Sequence, residues 1–262
     1  MADTYNEPAV PLQHGSMPLL GFGTWQIPDD QAPAAVGAAL EAGYRHIDTA
    51  TGYANERGVG EAIASSGVDR ADLFVTTKLP PDHAGRERQT LDDSLQALGV
   101  DQLDLWLIHW PPNGEASPAV WEAFLQAQQD GLVADVGVSN YSLEQIDELT
   151  AATGVTPAVN QVKWSPAEHD AEFAAGLAER GVVLEGYSPF KASNLADPTL
   201  VSVAEAHDVD TAQVIVAWHV AHGFVVIPKS SQPERIRSNA LGATVTLSDD
   251  EVAAIDRLGS AR

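Results

Sequence analysis

The sequence contains no cysteine, and this absence excludes several kinds of site at once. Without a thiol there is no disulfide, no thiolate-bound metal and no cysteine nucleophile. No apolar run approaches the roughly 20 residues that a membrane helix needs. The first residues, 1–13, lack the basic start and the apolar middle of a signal peptide. We therefore expect a cytoplasmic protein that has no membrane partner.

Basic side chains are also scarce. The chain has 14 lysines and arginines against 37 aspartates and glutamates, which gives a net charge of −23. A surface this acidic repels phosphate backbones and anionic lipids, and this argues against a nucleic-acid partner. Because molar salt screens the repulsion among acidic groups, the balance also predicts a halophilic protein. The remaining lysines are expected to have specific tasks; they are Lys78, Lys163, Lys191 and Lys229.

In place of these features, the sequence has apolar, β-branched runs that alternate with amphipathic segments. The strand candidates are 19–25, 44–50, 73–79, 103–110, 133–140, 158–164, 182–189 and 224–230. The helix candidates are 33–43, 56–67, 88–99, 119–131, 143–154, 171–181 and 211–223. Eight such units predict an α/β fold, a (β/α)8 TIM barrel that spans 1–262 as one domain. A turn at His14 and Gly15 predicts a short N-terminal hairpin that closes the barrel floor.

The alternative fold is an open, doubly wound sheet, which binds dinucleotides through a G-x-G-x-x-G turn after its first strand. The first strand here offers Gly21 and Gly23, but the third glycine of that pattern is missing. Two glycines are more often the sign of a tight turn. We therefore favour the barrel.

Polar side chains follow or end most of the predicted strands. In a (β/α)8 barrel the active site lies at the carboxyl ends of the strands. A single aspartate at such a position is as easily explained by capping of the next helix. Several different polar groups on one rim are harder to explain without a ligand, because a buried polar group without a partner costs about 1–3 kcal/mol. The residues at these strand ends are Trp25, Asp48, Lys78, His109, Ser139, Asn140, Gln161, Tyr187, Ser188, Lys229 and Ser230.

Four of the candidate residues, Tyr53, Lys78, Asp48 and His109, make a proton donor suited to a carbonyl oxygen. A free tyrosine has a pKa near 10, and a neighbouring ammonium group lowers it. We expect Lys78 to do this for Tyr53, and Asp48 to keep Lys78 charged. His109 can donate a hydrogen bond to the substrate oxygen. The quartet contains neither a nucleophile nor a metal-ligand set, so the attacking species has to be brought in, and hydride from a nicotinamide fits.

The segment 227–239 supplies a place for the phosphate groups of such a cofactor. Lys229 and Ser230 end the last strand, and the helix that follows carries Arg235 and Asn239 at i and i+4. Helix N-terminal amides, a lysine and an arginine suit a phosphate group. In a chain this poor in basic residues, the cluster favours NADP(H) over a solvated helix start.

The sequence resembles the aldo-keto reductase family over essentially its whole length. The motifs that carry the resemblance are GFGTW (21–25), HIDTATGYANERGVGEAI (46–63), TTKL (76–79), LDLWLIHWP (103–111), GVSN (137–140), NQV (160–162), YSP (187–189) and IPKS…R…N (227–239). The resemblance implies a metal-free (β/α)8 barrel that uses NADPH, sometimes NADH, and is a monomer by family default. It implies that Tyr53 is the general acid of a tetrad with Asp48, Lys78 and His109.

The same resemblance implies roles for the cofactor-binding residues. Ser139, Asn140 and Gln161 would hold the nicotinamide carboxamide, while Tyr187 would stack on the ring and Ser188 would lie along the pyrophosphate. Lys229, Ser230 and Arg235 would bind the 2′-phosphate, and Asn239 the adenine. Five positions depart from the family's common pattern, namely Lys163, Trp164, Phe190, Lys191 and Ser238; Lys191 either reaches the pyrophosphate or points to solvent.

Some of the tryptophans and histidines can also be assigned to a pocket, to the core or to a helix surface. Trp25 and Trp110, at strand ends, are expected to line an apolar substrate pocket, whereas Trp121 is expected in the core. His219 and His222 share a helix face, but no carboxylate or third histidine is evident nearby. We therefore expect both histidines to lie on an exposed helix face, and we predict no metal site.

The whole pattern predicts an NADPH-dependent carbonyl reductase that converts aldehydes or ketones to alcohols. Two alternatives keep the barrel. One is an isomerase or aldolase that uses Lys78 as a Schiff base, and the other is a non-enzymatic module that senses nucleotide.

Overall fold

The computed structural model describes residues 8–259. The first element among these residues is an antiparallel hairpin of β1 (Ala9–Pro11) and β2 (Ser16–Pro18). The hairpin turns at the predicted place, where the amide of Leu12 donates to the carbonyl of Gly15 at 2.9 Å. Met17 of β2 is fully buried against a cluster of interior side chains that includes Phe74 and Leu105. The hairpin prediction is thus confirmed.

A parallel strand forms within each of the eight predicted apolar runs, and the (β/α)8 prediction is confirmed. Their order in the sheet is sequential, as the barrel requires. They are β3 (Gly21–Gly23), β4 (His46–Asp48), β5 (Phe74–Leu79), β6 (Leu103–Ile108), β7 (Val133–Ser139), β8 (Val159–Lys163), β9 (Val183–Tyr187) and β10 (Val225–Ile227).

Helices cover the outside of the barrel. All seven helix candidates are confirmed, and α3 and α5 end at left-handed glycines, Gly99 and Gly154, because glycine adopts this conformation without strain. The helix α7, which together with α8 follows β9, was not among the candidates. The helices are α1 (Ala32–Glu41), α2 (Glu56–Ser65), α3 (Glu87–Leu98), α4 (Pro118–Gln129), α5 (Leu143–Thr153), α6 (Ala171–Glu179), α7 (Pro198–His207), α8 (Thr211–Ala221), α9 (Pro233–Gly242) and α10 (Asp249–Asp256).

The barrel closes between β10 and β3, and this closure rules out the open sheet. Leu20 pairs with Val226, whose amide donates to the carbonyl of Leu19 at 2.8 Å. The two glycines of β3 serve this seam. A Cβ on Gly23 would lie 2.9 Å from the carbonyl oxygen of Ile227, and one on Gly21 would collide with a buried side chain of β4. The G-x-G pattern therefore reflects close strand packing and not a dinucleotide loop.

Between the barrel and its helices lies a continuous apolar core that contains Trp121, as predicted. The expectation that both histidines of α8 lie on the surface is wrong for His219, which is fully buried. His222 is partly exposed and lies 2.8 Å from the carboxylate of Asp256, while His169 lies 3.8 Å from it. The chain folds the end of α10 against α8, a contact that no local pattern indicates. Within residues 8–259 no cluster of His, Asp and Glu side chains is suited to hold a metal ion.

None of the helices between residues 8 and 259 is long and apolar enough to cross a membrane. The prediction of one domain over 1–262 extends to 1–7 and 260–262, which lie outside the described residues.

Candidate active site

A cavity of about 700 Å³ opens at the carboxyl ends of the barrel strands. It collects most of the candidate residues on one rim, as the strand-end argument predicts. The side chains that line it come from the loops after β3, β4, β6 and β7 and from β8 to β10. They are Gly23, Trp25, Asp48, Gly52, Tyr53, His109, Trp110, Ser139, Asn140, Gln161, Lys163, Tyr187, Ser188, Lys191, Ile227 and Lys229.

The floor of the cavity is an ion pair between Asp48, the last residue of β4, and Lys78 of β5. Both side chains are buried, and the Nζ of Lys78 donates to each carboxylate oxygen at 2.7 Å and to the carbonyl of Thr49 at 2.8 Å. Burial lowers the pKa of Lys78, but the charge of Asp48 and the other nearby acids outweigh it, and the pKa lies above its usual range. Lys78 is therefore charged, as predicted.

Tyr53 stands over this pair at the end of a 3-10 helix, Thr51–Tyr53, in the loop after β4. The Nζ of Lys78 lies 5.1 Å from the centre of its ring. Burial raises the pKa of Tyr53, the positive charge of Lys78 lowers it, and the negative charge of Asp48 raises it again; the net shift is upward. The expected net lowering of the Tyr53 pKa is therefore wrong for this structure, because desolvation outweighs Lys78. The phenol is protonated at neutral pH.

His109 follows β6 and faces Tyr53, with 5.6 Å between the ring centres in an edge-to-face arrangement. Burial and the charge of Lys78 lower the pKa of His109 to about 3. The imidazole is therefore neutral, and one of its nitrogens carries a hydrogen that it can donate. Two donors, the phenol of Tyr53 and this imidazole, thus lie side by side at the floor of the cavity.

The loop that carries Tyr53 is held by Asn55 and Glu56, which sequence reasoning missed. The amide of Asn55 donates to the carbonyls of Thr24 at 3.0 Å and of Ile27 at 2.9 Å. Glu56 accepts from the hydroxyl of Thr77 at 2.6 Å. Both side chains are buried. Two polar residues directly after the sequence TGYA were the signal, since polar groups buried next to a turn usually fix its backbone.

The candidates for the carboxamide site are joined by hydrogen bonds. Tyr187 donates its hydroxyl to Asn140 at 2.9 Å, and the amide nitrogen of Asn140 donates to the hydroxyl oxygen of Ser139 at 2.9 Å. Ser139 in turn donates to the carbonyl of Gln161 at 2.8 Å. The side-chain amide of Gln161 donates to Asp48 at 2.8 Å, so its oxygen is the group left to accept from a ligand. Hydrogen bonds thus connect this cluster to the ion pair of Asp48 and Lys78.

The candidates for the phosphate end are spread more widely. Ser188 and Lys229 line the cavity, whereas Ser230, Arg235 and Asn239 lie outside its wall. Arg235 is exposed at the start of α9, while Asn239 is buried one turn later. The two residues at i and i+4 thus differ in accessibility. Ser230 accepts a hydrogen bond from the amide of Gln232 at 3.1 Å.

The mouth of the cavity is aromatic and basic. Trp25 and Trp110 line it and are about half exposed, at 43% and 48%. Lys191, from the loop after β9, places its Nζ 5.2 Å from the ring centre of Trp25, a cation–π distance. Lys163 bonds to Glu168 at 2.6 Å. Lys191 is thus exposed and lies against Trp25, and within residues 8–259 it makes no ion pair with an acid.

Sequence reasoning missed a further buried acid, Glu185 of β9, in the barrel interior. Its signal was an acidic residue two positions before Tyr187, inside the apolar run VVLEGY. Side chains two residues apart on a strand share one face, so Glu185 points to the same interior as the cavity floor.

The chain is similar to known proteins over almost its full length. The family model described as "Aldo/keto reductase family" matches residues 19–260. An aldo-keto reductase of Mycolicibacterium vanbaalenii is 43% identical over 247 residues, which are 93% of this chain and 88% of the relative. The methylglyoxal reductase DkgA of Salmonella typhimurium is 38% identical over 258 residues, 97% of this chain and 94% of the relative.

A solved structure shows the same fold. The aldo-keto reductase of Bombyx mori, crystallised in complex with NADP, has a TM-score of 0.88 and 32% identity and covers 98% of this chain and 94% of its own. The match of the family model, these identities and the barrel architecture agree with one another. The chain therefore belongs to the aldo-keto reductase family, a family of NAD(P)H-dependent oxidoreductases.

Proposed function

We propose that this protein reduces aldehydes or ketones to alcohols with NADPH, and that Tyr53 is the proton donor. The observation that carries the proposal is the position of Tyr53. Its ring lies 5.1 Å from the Nζ of the charged Lys78 and 5.6 Å from the ring centre of the neutral His109, in a cavity that Trp25 and Trp110 also line. A carbonyl oxygen placed there meets two hydrogen-bond donors and one buried positive charge, which is the environment that a developing alkoxide needs.

The residues divide the work of the reaction. His109 donates a hydrogen bond that orients the carbonyl oxygen, and Tyr53 transfers its proton to that oxygen as the C–O bond gains electrons. Lys78 stabilises the phenolate that remains, and Asp48 keeps Lys78 charged. A proton from solvent then restores Tyr53. The reduced nicotinamide, when bound, supplies the hydride that the carbonyl carbon accepts.

The residues around the cavity fit NADP(H). Ser139, Asn140 and Gln161 offer a hydroxyl and two amides side by side, which suits a carboxamide, and the ring of Tyr187 is available to stack on a flat heterocycle. Ser188 is proposed to face the pyrophosphate. Lys229, Ser230 and Arg235 are proposed for the 2′-phosphate, with Asn239 at the adenine. NAD(H) would lack the phosphate that this group of donors and cations suits, so it would bind more weakly.

The contacts of Lys78 weigh against a Schiff-base mechanism. A Schiff-base lysine must be neutral to attack a carbonyl carbon, whereas the Nζ of Lys78 is charged and makes three hydrogen bonds within the barrel. A purely nucleotide-sensing role would not require a buried ion pair beneath a protonated tyrosine. Carbonyl reduction uses each of these groups.

The test is the variant Tyr53→Phe, assayed with NADPH against a panel of aldehydes, keto acids and sugars that includes methylglyoxal. We expect kcat/KM to fall by about 10²–10⁴-fold while NADPH affinity stays within about twofold. Tyr141→Phe is the matched control, because its hydroxyl bonds to the carbonyl of Ala116 away from the cavity. A fully active Tyr53→Phe enzyme would refute the role of Tyr53, and NADPH binding without reduction of any substrate by the unaltered enzyme would favour the sensing function.

The cytoplasmic location and the monomeric state remain predictions. Size-exclusion chromatography with light scattering measures the second directly.

A further inference from the structure

Glu185 is a buried carboxyl group that has no part in the proposed carbonyl reduction. It lies on β9, two residues before Tyr187, and its exposed fraction is zero. Within residues 8–259 neither of its carboxyl oxygens has a partner at the distance and angle of a hydrogen bond, although the amide of Gln161 lies near enough to favour the charged form. A buried carboxylate without such partners is strongly disfavoured relative to the neutral acid. The position of Glu185 therefore favours the protonated form.

The charges around Glu185 point the same way. Asp48 already takes the charge of Lys78 through two bonds of 2.7 Å. The Nε2 of His46 lies 3.7 Å from Glu185, but burial and the charge of Lys78 lower the pKa of His46 to about 3, so it carries no charge. The adjacent β10 presents only apolar residues, Val225–Ile227. The titratable groups that face Glu185 are His46 and Asp48 of β4, Lys78 of β5 and Tyr53 of the 3-10 helix.

The positive charge of Lys78 thus acts on two carboxyl groups of the barrel interior, those of Asp48 and Glu185. Burial and the charge of Asp48 raise the pKa of Glu185 to about 8, against partial opposition from Gln161 and Lys78. The influence is mutual, because an ionised Glu185 raises the pKa of both Tyr53 and Lys78. Ionisation of Glu185 therefore changes the charge that surrounds the proton donor Tyr53.

We propose that Glu185 is a positioning residue for the proton transfer: as a neutral acid it leaves the charge of Lys78 to Asp48 and Tyr53, and on ionising it adds a second negative charge that competes with Tyr53 for Lys78. The inference rests on the proposed function of Tyr53. Glu185 touches neither substrate nor cofactor and acts through the charge that it places in the barrel interior.

The kinetic test is the pH profile of Glu185→Gln, measured from about pH 6 to about pH 10. Glutamine has the shape of the neutral acid, so kcat below about pH 7 should match the unaltered enzyme within about twofold. In alcohol oxidation with NADP+, Tyr53 accepts the proton and must first ionise. Without the negative charge of Glu185, the rise of oxidation with pH should move to lower pH than in the unaltered enzyme. The alkaline fall of the reduction rate should move in the same direction.

Two further measurements do not depend on turnover. Isotope-edited infrared spectra of enzyme with ¹³C-labelled glutamate should show a protonated carboxyl band that persists to about pH 8 and is absent in Glu185→Gln. Stability should respond as well. The pKa of Glu185 in the folded protein exceeds the value of about 4.3 in the unfolded chain. The contribution of Glu185 to the free energy of unfolding is therefore complete below about pH 4.3 and is lost as the pH rises to about 8. As the pH rises from about 5 to about 9, the denaturation midpoint of Glu185→Gln should therefore increase relative to that of the unaltered enzyme.

The matched control is Glu56→Gln, which removes another buried carboxyl group, one bonded to Thr77 and Ser94. It should change activity by the same factor at every pH and leave the infrared band of Glu185 in place. The proposal is overturned if the profile of Glu185→Gln coincides with that of the unaltered enzyme, or if its loss of activity is uniform with pH. If Tyr53→Phe is active but the infrared band and the stability shift are found, the function of Tyr53 fails while the protonation of Glu185 stands.

Discussion

The two ends of the cavity hold their positive charges in opposite ways. On the β4–β5 wall, Lys78 is buried and fully paired with Asp48 before any ligand arrives. At the β10–α9 end, Lys229 and Arg235 are exposed, and neither takes part in an ion pair within residues 8–259. The buried charge is part of the fold, whereas the exposed charges are free to bind a ligand. Substitutions should therefore cost both stability and turnover at the first end but only affinity at the second.

The largest effect is expected from Lys78→Met, which leaves Asp48 as a buried charge without its partner. The free energy of unfolding should fall by about 3–5 kcal/mol, and kcat by about 10²–10⁴-fold. Chemical denaturation and steady-state kinetics measure the two. The double variant Lys78→Met/Asp48→Asn should recover part of the stability but none of the activity. Equal stability of the single and double variants would show that the pair is not coupled.

A smaller and purely binding effect is expected at the other end. The double variant Lys229→Met/Arg235→Ala should raise the KM for NADPH by about 10–100-fold, because two charge-assisted contacts to a phosphate are lost. The KM for NADH, kcat and the unfolding midpoint should change little. Arg237→Ala, a neighbouring arginine of α9, is the control. An equal loss for NADPH and NADH would place these two residues away from the 2′-phosphate.

Substitution at the mouth should act on substrate binding alone. Trp110 is about half exposed, so Trp110→Ala should raise the KM for apolar aldehydes about three- to tenfold and leave small, polar carbonyls almost unaffected. The measurement is KM across a homologous series of aldehydes. Trp121→Ala, in the core, should instead lower the unfolding midpoint. A uniform loss for all aldehydes would exclude a wall of the substrate site at Trp110.

The smallest effect concerns the acidic surface, which differs from the buried pair in its response to salt. If the protein is halophilic, raising salt from about 0.1 to about 3 M should increase stability by about 1 kcal/mol or more, or about 2–4 °C in Tm. The ion pair between Lys78 and Asp48 is buried, so added salt should not screen it. Any change of kcat with salt should therefore parallel the change in stability. Thermal scans at several salt concentrations decide; indifference to salt contradicts the halophilic interpretation.

The strand-end positions could be predicted from the sequence because the barrel topology alone determines where the strands end. Once eight parallel strands are recognised, Asp48, Lys78 and His109 must reach one rim wherever the loops go. The net pKa of Tyr53 could not be predicted in the same way. It depends on how deeply the ring is buried, and burial is set by loops whose course the local pattern does not define.

Two other failures share a cause. Glu185 lies in a strand buried on both faces, where the alternation that separates inside from outside is lost. His219 lies on a helix covered on every side, and a polar residue there looks like a surface residue when only its own helix is considered. In both cases the surroundings come from distant parts of the chain.

The seam of the barrel has a consequence for the cavity above it. β3 and β10 approach each other through hydrogen atoms of Gly21 and Gly23, where any larger group would force the strands apart. Trp25 leaves the first of these strands and Lys229 the second, and both line the opening. The smallest side chains in the protein thus bring these two walls together: a methyl group added at Gly23, 2.9 Å from the carbonyl oxygen of Ile227, would displace one of the two strands and with it Trp25 or Lys229 at the opening.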